Sequence, residues 1–335
     1  MSTPNKPPTI YDVAKLADVS ITTVSRMLNA PDKVSPETRD RIIAAIDQLG
    51  FVPKAEARAR ALRQTGRIGV ITPFFTAPSF VQRLRGIASA LSKENYELVI
   101  YTVESATHLE SYFASLPLTG NLDGLIVMSL PVSDANVRRW MMHNLPTVLI
   151  EYPHPELNSV VIDDVEGGRM AVEHLVQKGH QRIAFLGDTD LPKYAIHPVG
   201  LRLAGFRQAM EAAGLPVPED FVRLAPYIQE QTRLTAAELL NLPEPPTAIF
   251  AATDFQALGV VKAARQLGFK VPEQLAVVGF DDLELAEFAD LTTIRQHLDE
   301  SGRLAVELLI SGIKDHDRPV RHVNLPLQLI ERLTT

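Results

Sequence analysis

Residues 9–29 of this 335-residue chain read TIYDVAKLADVSITTVSRMLN, which leaves room for two very short helices and a tight turn. Thr9 and Ser20 are residue types that cap the start of a helix. Asp12, three residues after Thr9, completes a capping-box-like start. Ile10, Val13, Ala14 and Ala17 fall on one helical face, as do Val24, Met27 and Leu28 on the next. Ala17-Asp18-Val19 is left as the connection. Two short helices joined by three residues make a helix-turn-helix, whose second helix enters the major groove of DNA. The alternative is an ordinary helical hairpin inside a larger core.

The stretch resembles the headpiece of the lactose-repressor (LacI/GalR) family of bacterial transcription regulators. The matching core is Asp12-Val13-Ala14-Lys15-Leu16-Ala17 and Thr23-Val24-Ser25-Arg26, ending Leu28-Asn29. The resemblance implies that Ile21, Thr22 and Arg26 contact base edges. Arg26 suits a bidentate bond to guanine, worth about 1–3 kcal/mol of discrimination. Ile21 offers only apolar contact, for instance to a thymine methyl, and Thr22 one hydrogen bond. Ser20, Thr23, Ser25 and Asn29 suit phosphates, which fix register without reading sequence; Thr9 joins the DNA-contact candidates. Ser20 is equally a simple cap, and Ser25 equally a solvated helix residue.

Ser35-Pro36-Glu37 opens a third helix with a capping serine, proline in the first position and an acid in the first turn. Ile42, Ile43, Ile46 and Leu49 give it an apolar face, and Gly50 ends it. Residues 1–50 are therefore expected to be a three-helix headpiece. Residues 51–66 alternate alanine with charge and have high helix propensity but almost no apolar stripe. In the resembled family this is a hinge helix that orders on operator DNA and enters the minor groove. Its usual wedge leucine is replaced by Arg60, the nearest leucine is Leu62, and Arg58 joins Arg60 as a DNA-contact candidate. An arginine reads a narrow minor groove electrostatically, whereas a leucine unstacks a base step. The plain alternative is a solvated linker with a Glu56–Arg60 pair.

From residue 67 to 335, continuous apolar runs alternate with helical patterns. The runs are 68–72, 98–102, 124–128, 147–150, 160–162, 183–186, 248–252 and 275–280; the helical stretches include 80–93, 167–178, 201–213, 233–240 and 255–267. This order predicts an α/β fold with doubly wound parallel sheets covered on both faces. Two such sheets with a cleft between them make a periplasmic-binding-protein-like, two-lobed core. The strands at 98–102 and 183–186 sit at comparable places in two successive βαβ series, hinting at two similar halves. The resemblance extends here through Phe80–Ile87, Leu122–Ile126, Glu173-His174-Leu175, Gly179–Ala184, Val277–Asp282 and Leu291–Ile294.

Ligands of open α/β sheets bind outside the carboxyl ends of the strands. The candidates there are Phe74 and Phe75, Asp163 and Asp164, Thr253, Asp254, Asp281 and Gln296, with Arg202 in a segment whose family arginine contacts ligand hydroxyls; of the first two pairs, Phe75 and Asp163 are taken as the effector contacts. Tyr194 and His197 are placed at the mouth. Carboxylates accept hydrogen bonds from vicinal hydroxyls and a ring stacks on a sugar's apolar face. The resemblance implies a carbohydrate effector ahead of a purine. Thr253 stands where the family often has asparagine, so its hydrogen-bond pattern must differ. Plainer roles remain: Asp254 and Asp282 as helix caps, Asp163 as organiser of the crossover, Phe75 as core.

The net charge of −7 argues against a general nucleic-acid-coating protein, but residues 1–65 carry +3 and the rest −10. A basic head on an acidic body suits docking to DNA through one end. With no cysteine the chain has no disulfide or thiolate metal site, which fits a reducing compartment. No apolar run is long enough to span a bilayer and no secretory leader is read at the start, so the expected location is the cytoplasm. No nucleophile elbow, phosphate loop, dinucleotide fingerprint or His-Glu-x-x-His is present. The expectation is a regulator without cofactor, metal or enzymatic activity, binding palindromic double-stranded operator DNA as a homodimer, with no membrane partner. A sugar-processing enzyme with an appended DNA module, or a secreted sugar binder, are the alternatives.

Overall fold

The computed structural model describes residues 8–29, 34–49, 51, 65–189, 192–315 and 318–335. The chain forms two compact units, residues 1–64 and 65–335. In the first, helices α1 (Ile10–Leu16), α2 (Ile21–Asn29) and α3 (Pro36–Leu49) enclose a small core of Val13, Ala14, Ala17, Val24, Met27, Ile42 and Ala45. Ile43 is exposed instead of joining Ile42, and the small Ala45 takes the inward position. Two neighbouring β-branched residues cannot both face inward on a helix, and here the three-helix core admits one.

The second unit has two six-stranded sheets. The first lobe contains β1 (Arg67–Thr72), β2 (Glu97–Thr102), β3 (Gly124–Met128), β4 (Thr147–Ile150) and β5 (Asn158–Val161), interleaved with α4 (Pro78–Lys93), α5 (Ala106–Thr119) and α6 (Asp134–Met142). The second contains β6 (Ile183–Thr189), β7 (Val222–Pro226), β8 (Ala248–Ala251), β9 (Ala276–Asp281) and β10 (Thr292–Arg295). Its helices are α7 (Asp164–Gln177), α8 (Pro198–Ala212), α9 (Gln229–Leu240), α10 (Asp254–Gln266) and the short α11 (Glu284–Phe288). The chain then returns to the first lobe as α12 (Leu298–Lys314) and β11 (His322–Asn324), and ends in the second as β12 (Gln328–Ile330).

Strand orders are β11-β5-β4-β3-β1-β2 and β12-β10-β9-β8-β6-β7, parallel throughout except for β10–β12. Central strands such as β3, β4 and β8 are buried along their whole length. They are apolar on both faces because helices cover both, and this is why they read as continuous runs. The counterpart of β1 is β6, since each lies between the second and third strands of its lobe. Residues 98–102 therefore match β7, not 183–186, which corrects the sequence-based pairing. β7 is an edge strand carrying Arg223 and Pro226, so it lacks the apolar run that would reveal it.

Three segments cross between the lobes: after β5, after β10 and after β11. Helix pairs lock the flanks. A Cβ on Gly86 of α4 would stand 2.0 Å from the Asp299 carbonyl oxygen of α12, and one on Gly205 of α8 would stand 1.9 Å from that of Val165 in α7. Only glycine allows these helices so close. Both contacts hold the helix that follows the first strand of a lobe.

Candidate functional site

The headpiece presents its candidates at the start of α2. Ser20 Oγ accepts from the Thr23 amide at 3.1 Å and lies 2.8 Å from Thr23 Oγ1, so the two hydroxyls cap the helix together. Asp18 makes the turn with φ 51°, a left-handed conformation that Asp tolerates better than most residues. Val24 and Met27 point into the core. Ile21 is 40% exposed, and Thr22 and Arg26 face solvent on the opposite side. Thr9 donates its amide to the Asp12 carboxylate at 2.7 Å and begins α1. Ser25 is half-buried. The side chain of Asn29 and residues Gly50, Arg58 and Arg60 lie outside the described residues, with the expected Glu56–Arg60 pair and most of segment 51–66.

In the core, the carboxyl ends of the strands bring a buried polar network together. Arg202, 3% exposed, donates from Nε to Asp164 Oδ1 at 2.9 Å and from a terminal nitrogen to the Ala252 carbonyl at 2.6 Å. The same nitrogen is 3.8 Å from Asp281 Oδ1, and the guanidinium lies 3.6 Å above the centre of the Phe280 ring. Gln296, on the crossover after β10, donates to Asp281 Oδ1 at 2.5 Å and accepts from Arg83 at 3.2 Å. Arg83, 2% exposed, also pairs with Glu151 Oε1 at 2.6 Å and with Ser301 Oγ at 2.9 Å; Ser129 Oγ donates to Glu151. The chain Glu151–Arg83–Gln296–Asp281–Arg202–Asp164 thus runs from one lobe to the other.

Two further hydrogen bonds cross the cleft: Tyr194 Oη donates to the Val103 carbonyl at 3.3 Å, and the Ile196 amide to that of Ser129 at 3.2 Å. Arg85 and Glu284 pair across the lobes at the surface.

Several expected residues take different places. Asp163 is exposed and caps α7 by accepting from the Glu166 amide, while Asp164 faces Arg202. The helix begins at Asp164, so one residue of register decides which aspartate points inward. Asp254 is fully buried, and its oxygens accept from the Leu283 amide at 2.7 Å and Thr293 Oγ1 at 2.5 Å. It ties β8 to β9 and β10; the cap of α10 is Thr253, which accepts from the Gln256 amide. Asp282 pairs with Arg295 and Arg332. Phe75 is 42% exposed beyond β1, while Phe74 packs edge-on against Phe80. His197 occupies the position before α8 without a side-chain cap bond.

Sequence reading did not select Arg83, Glu151, Ser129 or Tyr227. A signal for Arg83 is present: Arg83-Leu84-Arg85-Gly86 and Arg202-Leu203-Ala204-Gly205 repeat one pattern on α4 and α8, each glycine making the close contact above. The two lobes therefore present one buried arginine each, on matching helices.

Backbone strain concentrates in the same place. Of nine described non-glycine residues with positive φ, Ser129, Glu151, Asp281, Asp282 and His297 lie at these strand ends or on the crossover. Such conformations cost on the order of 1–3 kcal/mol each and persist where surrounding bonds enforce them.

Burial pushes the Asp281 carboxyl up to about 7, despite Arg202 and the Gln296 hydrogen bond. Burial, reinforced by the Asp281 charge, holds Asp254 well above the usual carboxylate range. Asp164 is also raised by burial, which outweighs Arg202. For Glu151 burial acts upward too, but Arg83 and the Ser129 hydrogen bond overcome it and its pKa falls below the ordinary value. Tyr227, stacked 4.9 Å from Phe255, is raised by burial and by Asp281.

Residues 9–54 match the bacterial regulatory proteins of the lacI family, and residues 172–335 match a periplasmic binding protein-like domain. The HTH-type transcriptional repressor CytR of Escherichia coli (strain K12) is 36% identical over 314 residues, which is 91% of this chain and 90% of that protein. The chain belongs to the lacI family. The lac repressor dimer bound to operator and the anti-inducer ONPF has the same fold, with a TM-score of 0.77 at 29% identity over 98% of this chain and 99% of that one. A transcriptional regulator CelR–cellobiose complex aligns with a TM-score of 0.69 at 30% identity, over 98% of this chain and 100% of that one. The lacI-family relatives are regulators, and this chain is a DNA-binding transcriptional regulator with a small-molecule effector. No described helix is long and apolar enough to cross a membrane. Among the described residues no group of three or more His, Cys, Asp or Glu is arranged to hold a metal ion.

Proposed function

We propose that the protein is a repressor that binds a palindromic operator as a homodimer and changes its operator affinity when a carbohydrate occupies the interlobe cleft. Residues 1–50 read the DNA, 51–66 connect, and 67–335 bind effector and dimerise. Ile21, Thr22 and Arg26 read bases; Thr9, Ser20, Thr23, Ser25 and Asn29 position the phosphate backbone; Arg58 and Arg60 act in the minor groove. Arg202, Asp281, Gln296, Thr253 and Phe75 receive the effector, joined by Asp164 and Tyr227. Asp163 and Asp254 act indirectly, as cap and strand tie. A protein that works on the chromosome acts in the cytoplasm, and none of its roles calls for catalysis.

The observation that carries the effector reading is the ring of buried carboxylates and guanidiniums at the strand ends, set beside the partly exposed rings of Tyr227 and Phe255. Acceptors for vicinal hydroxyls beside aromatic faces are what a sugar needs, and the related regulator CelR is seen with cellobiose. For dimerisation, Phe288 is 88% exposed on the second lobe, with exposed Leu285 on the same helix. A bound effector sets the lobes of each subunit, and through the dimer the spacing of its DNA-binding ends.

The test is fluorescence anisotropy on palindromes beside the protein's own gene, titrated with sugars and nucleobases. Salt-sensitive nanomolar binding that one sugar changes supports the reading. Binding no tighter than to random DNA under every ligand contradicts the operator assignment, and a response to a purine alone contradicts the carbohydrate assignment.

A further inference from the structure

Four buried side-chain polar atoms in the described residues have no hydrogen-bond partner, and two of them, Thr72 Oγ1 and Asp188 Oδ1, lie at the carboxyl ends of β1 and β6. These are the first strands of the two lobes. In each lobe the chain leaves the first strand for the second on one side and returns for the third on the other, so the topological switch point of each sheet lies beside these residues. An unpaired buried carboxylate oxygen is costly and calls for an explanation.

Asp188 is set in register with Ala225 of β7, two residues before Tyr227, and lies within electrostatic reach of Arg202, His197 and Tyr227. Its neighbour Arg202 is already committed to Asp164, the Ala252 carbonyl and Asp281. The charge of the cleft is also unbalanced. Among the described residues, Glu151, Asp164, Asp188 and Asp281 share two guanidiniums, Arg83 and Arg202, with the His197 imidazole beside Asp188. The four carboxyls outnumber the two guanidiniums. A buried site with excess negative charge repels anionic ligands and favours groups that donate.

We infer that Asp188 selects the effector: it accepts hydrogen bonds from a hydroxyl or ammonium group of an uncharged or amino sugar, and the acidic cleft excludes phosphorylated and carboxylated sugars. This rests on the carbohydrate reading above and narrows it to a class.

The experiment uses the full-length protein and its Asp188→Asn variant, with thermal shift and calorimetry. The probes are cellobiose, ribose, glucosamine, phosphorylated forms of the same sugars, cytidine and guanine. Asparagine keeps the shape and removes the charge. The expected result has three parts. A neutral or amino sugar binds the wild type, and its phosphorylated form binds roughly tenfold more weakly or worse, from repulsion between the phosphate and the buried carboxylates. The variant binds the same sugar roughly ten- to a hundredfold more weakly. Without ligand the variant melts at the same or a higher temperature, because a buried carboxylate with one oxygen lacking a hydrogen-bond partner has been replaced by a neutral amide. A sugar that binds both proteins equally, or a phosphorylated sugar that binds as well as its parent, overturns this inference and leaves the carbohydrate reading standing. A variant that melts lower without ligand shows that Asp188 serves the fold, and also overturns it. A wild-type protein stabilised by cytidine or guanine alone, or by none of the probes, overturns both.

Discussion

The DNA-reading helix and the effector cleft are built in opposite ways. The residues assigned to bases are neighbours in sequence, sit on one helix and point outward: Ile21, Thr22 and Arg26. The residues of the cleft come from positions 83 to 301, are almost fully buried and are bonded to one another. The first arrangement allows the read sequence to change without disturbing the fold, because the core of the headpiece rests on Val13, Val24 and Ile42 instead. In the second, each functional group also holds its neighbours, so binding and stability are altered together.

The sharpest way to break this contrast is to cut the cleft network. Arg202→Met should destabilise the core by about 3–5 kcal/mol, because Asp164 and Asp281 lose a buried partner. Urea unfolding measures this, and a loss below about 1 kcal/mol would mean the network is not cooperative. Arg26→Ala should leave thermal stability unchanged and reduce preference for the operator over random DNA roughly tenfold or more, read by competition binding. Unchanged preference would remove Arg26 from the reading surface.

A third test uses pH. Asp281 has a folded-state pKa near 7, above its unfolded value, so the folded state holds the extra proton. Its contribution to stability is present at low pH and is lost as pH rises from the ordinary carboxylate range through about 7. Glu151, shifted the other way, contributes above its unfolded value and loses its effect on acidification. As pH rises from about 5 to about 7, Asp281 should lower the unfolding free energy by at most about 1.4 kcal/mol per unit, and Asp254 and Asp164, also raised by burial, act in the same direction. Asp281→Asn should reduce the slope by its share; an unchanged slope contradicts the assignment. The smallest effect belongs to the headpiece. Ser20→Ala should cost it about 1 kcal/mol through the lost cap, measurable in the thermal melting of that unit.

The same contrast explains what was legible. The helices of the headpiece were read from spacing, because capping and apolar periodicity are local signals, and its base contacts were assigned by family likeness. Most central strands were visible because burial on both faces forces continuous apolar runs, but β10 was not, since Thr292 and Thr293 interrupt its run. Edge strands β7, β11 and β12 were not, since half their side chains meet water. In the cleft, Arg202, Asp281 and Gln296, named from their place after strands and from family likeness, lie in the buried polar network. Glu151 followed a strand equally, but nothing local marks its positive φ or its partner Arg83, 68 positions away. Asp163 and Asp164 are both visible after the crossover strand, and the sequence reading selects Asp163 as the contact, but one residue of helix register turns Asp164 toward Arg202 instead. Long-range pairing and single-residue register are tertiary facts, and only the α4–α8 repeat left a trace of them in the sequence.

The central claim is that effector and operator alter each other's affinity. It is tested most directly by calorimetry of a sugar active in the panel, titrated into full-length protein with and without saturating operator duplex. The account predicts that operator changes the sugar's Kd by the same factor by which the sugar changes the operator's. A sugar Kd that is the same with and without operator would contradict it.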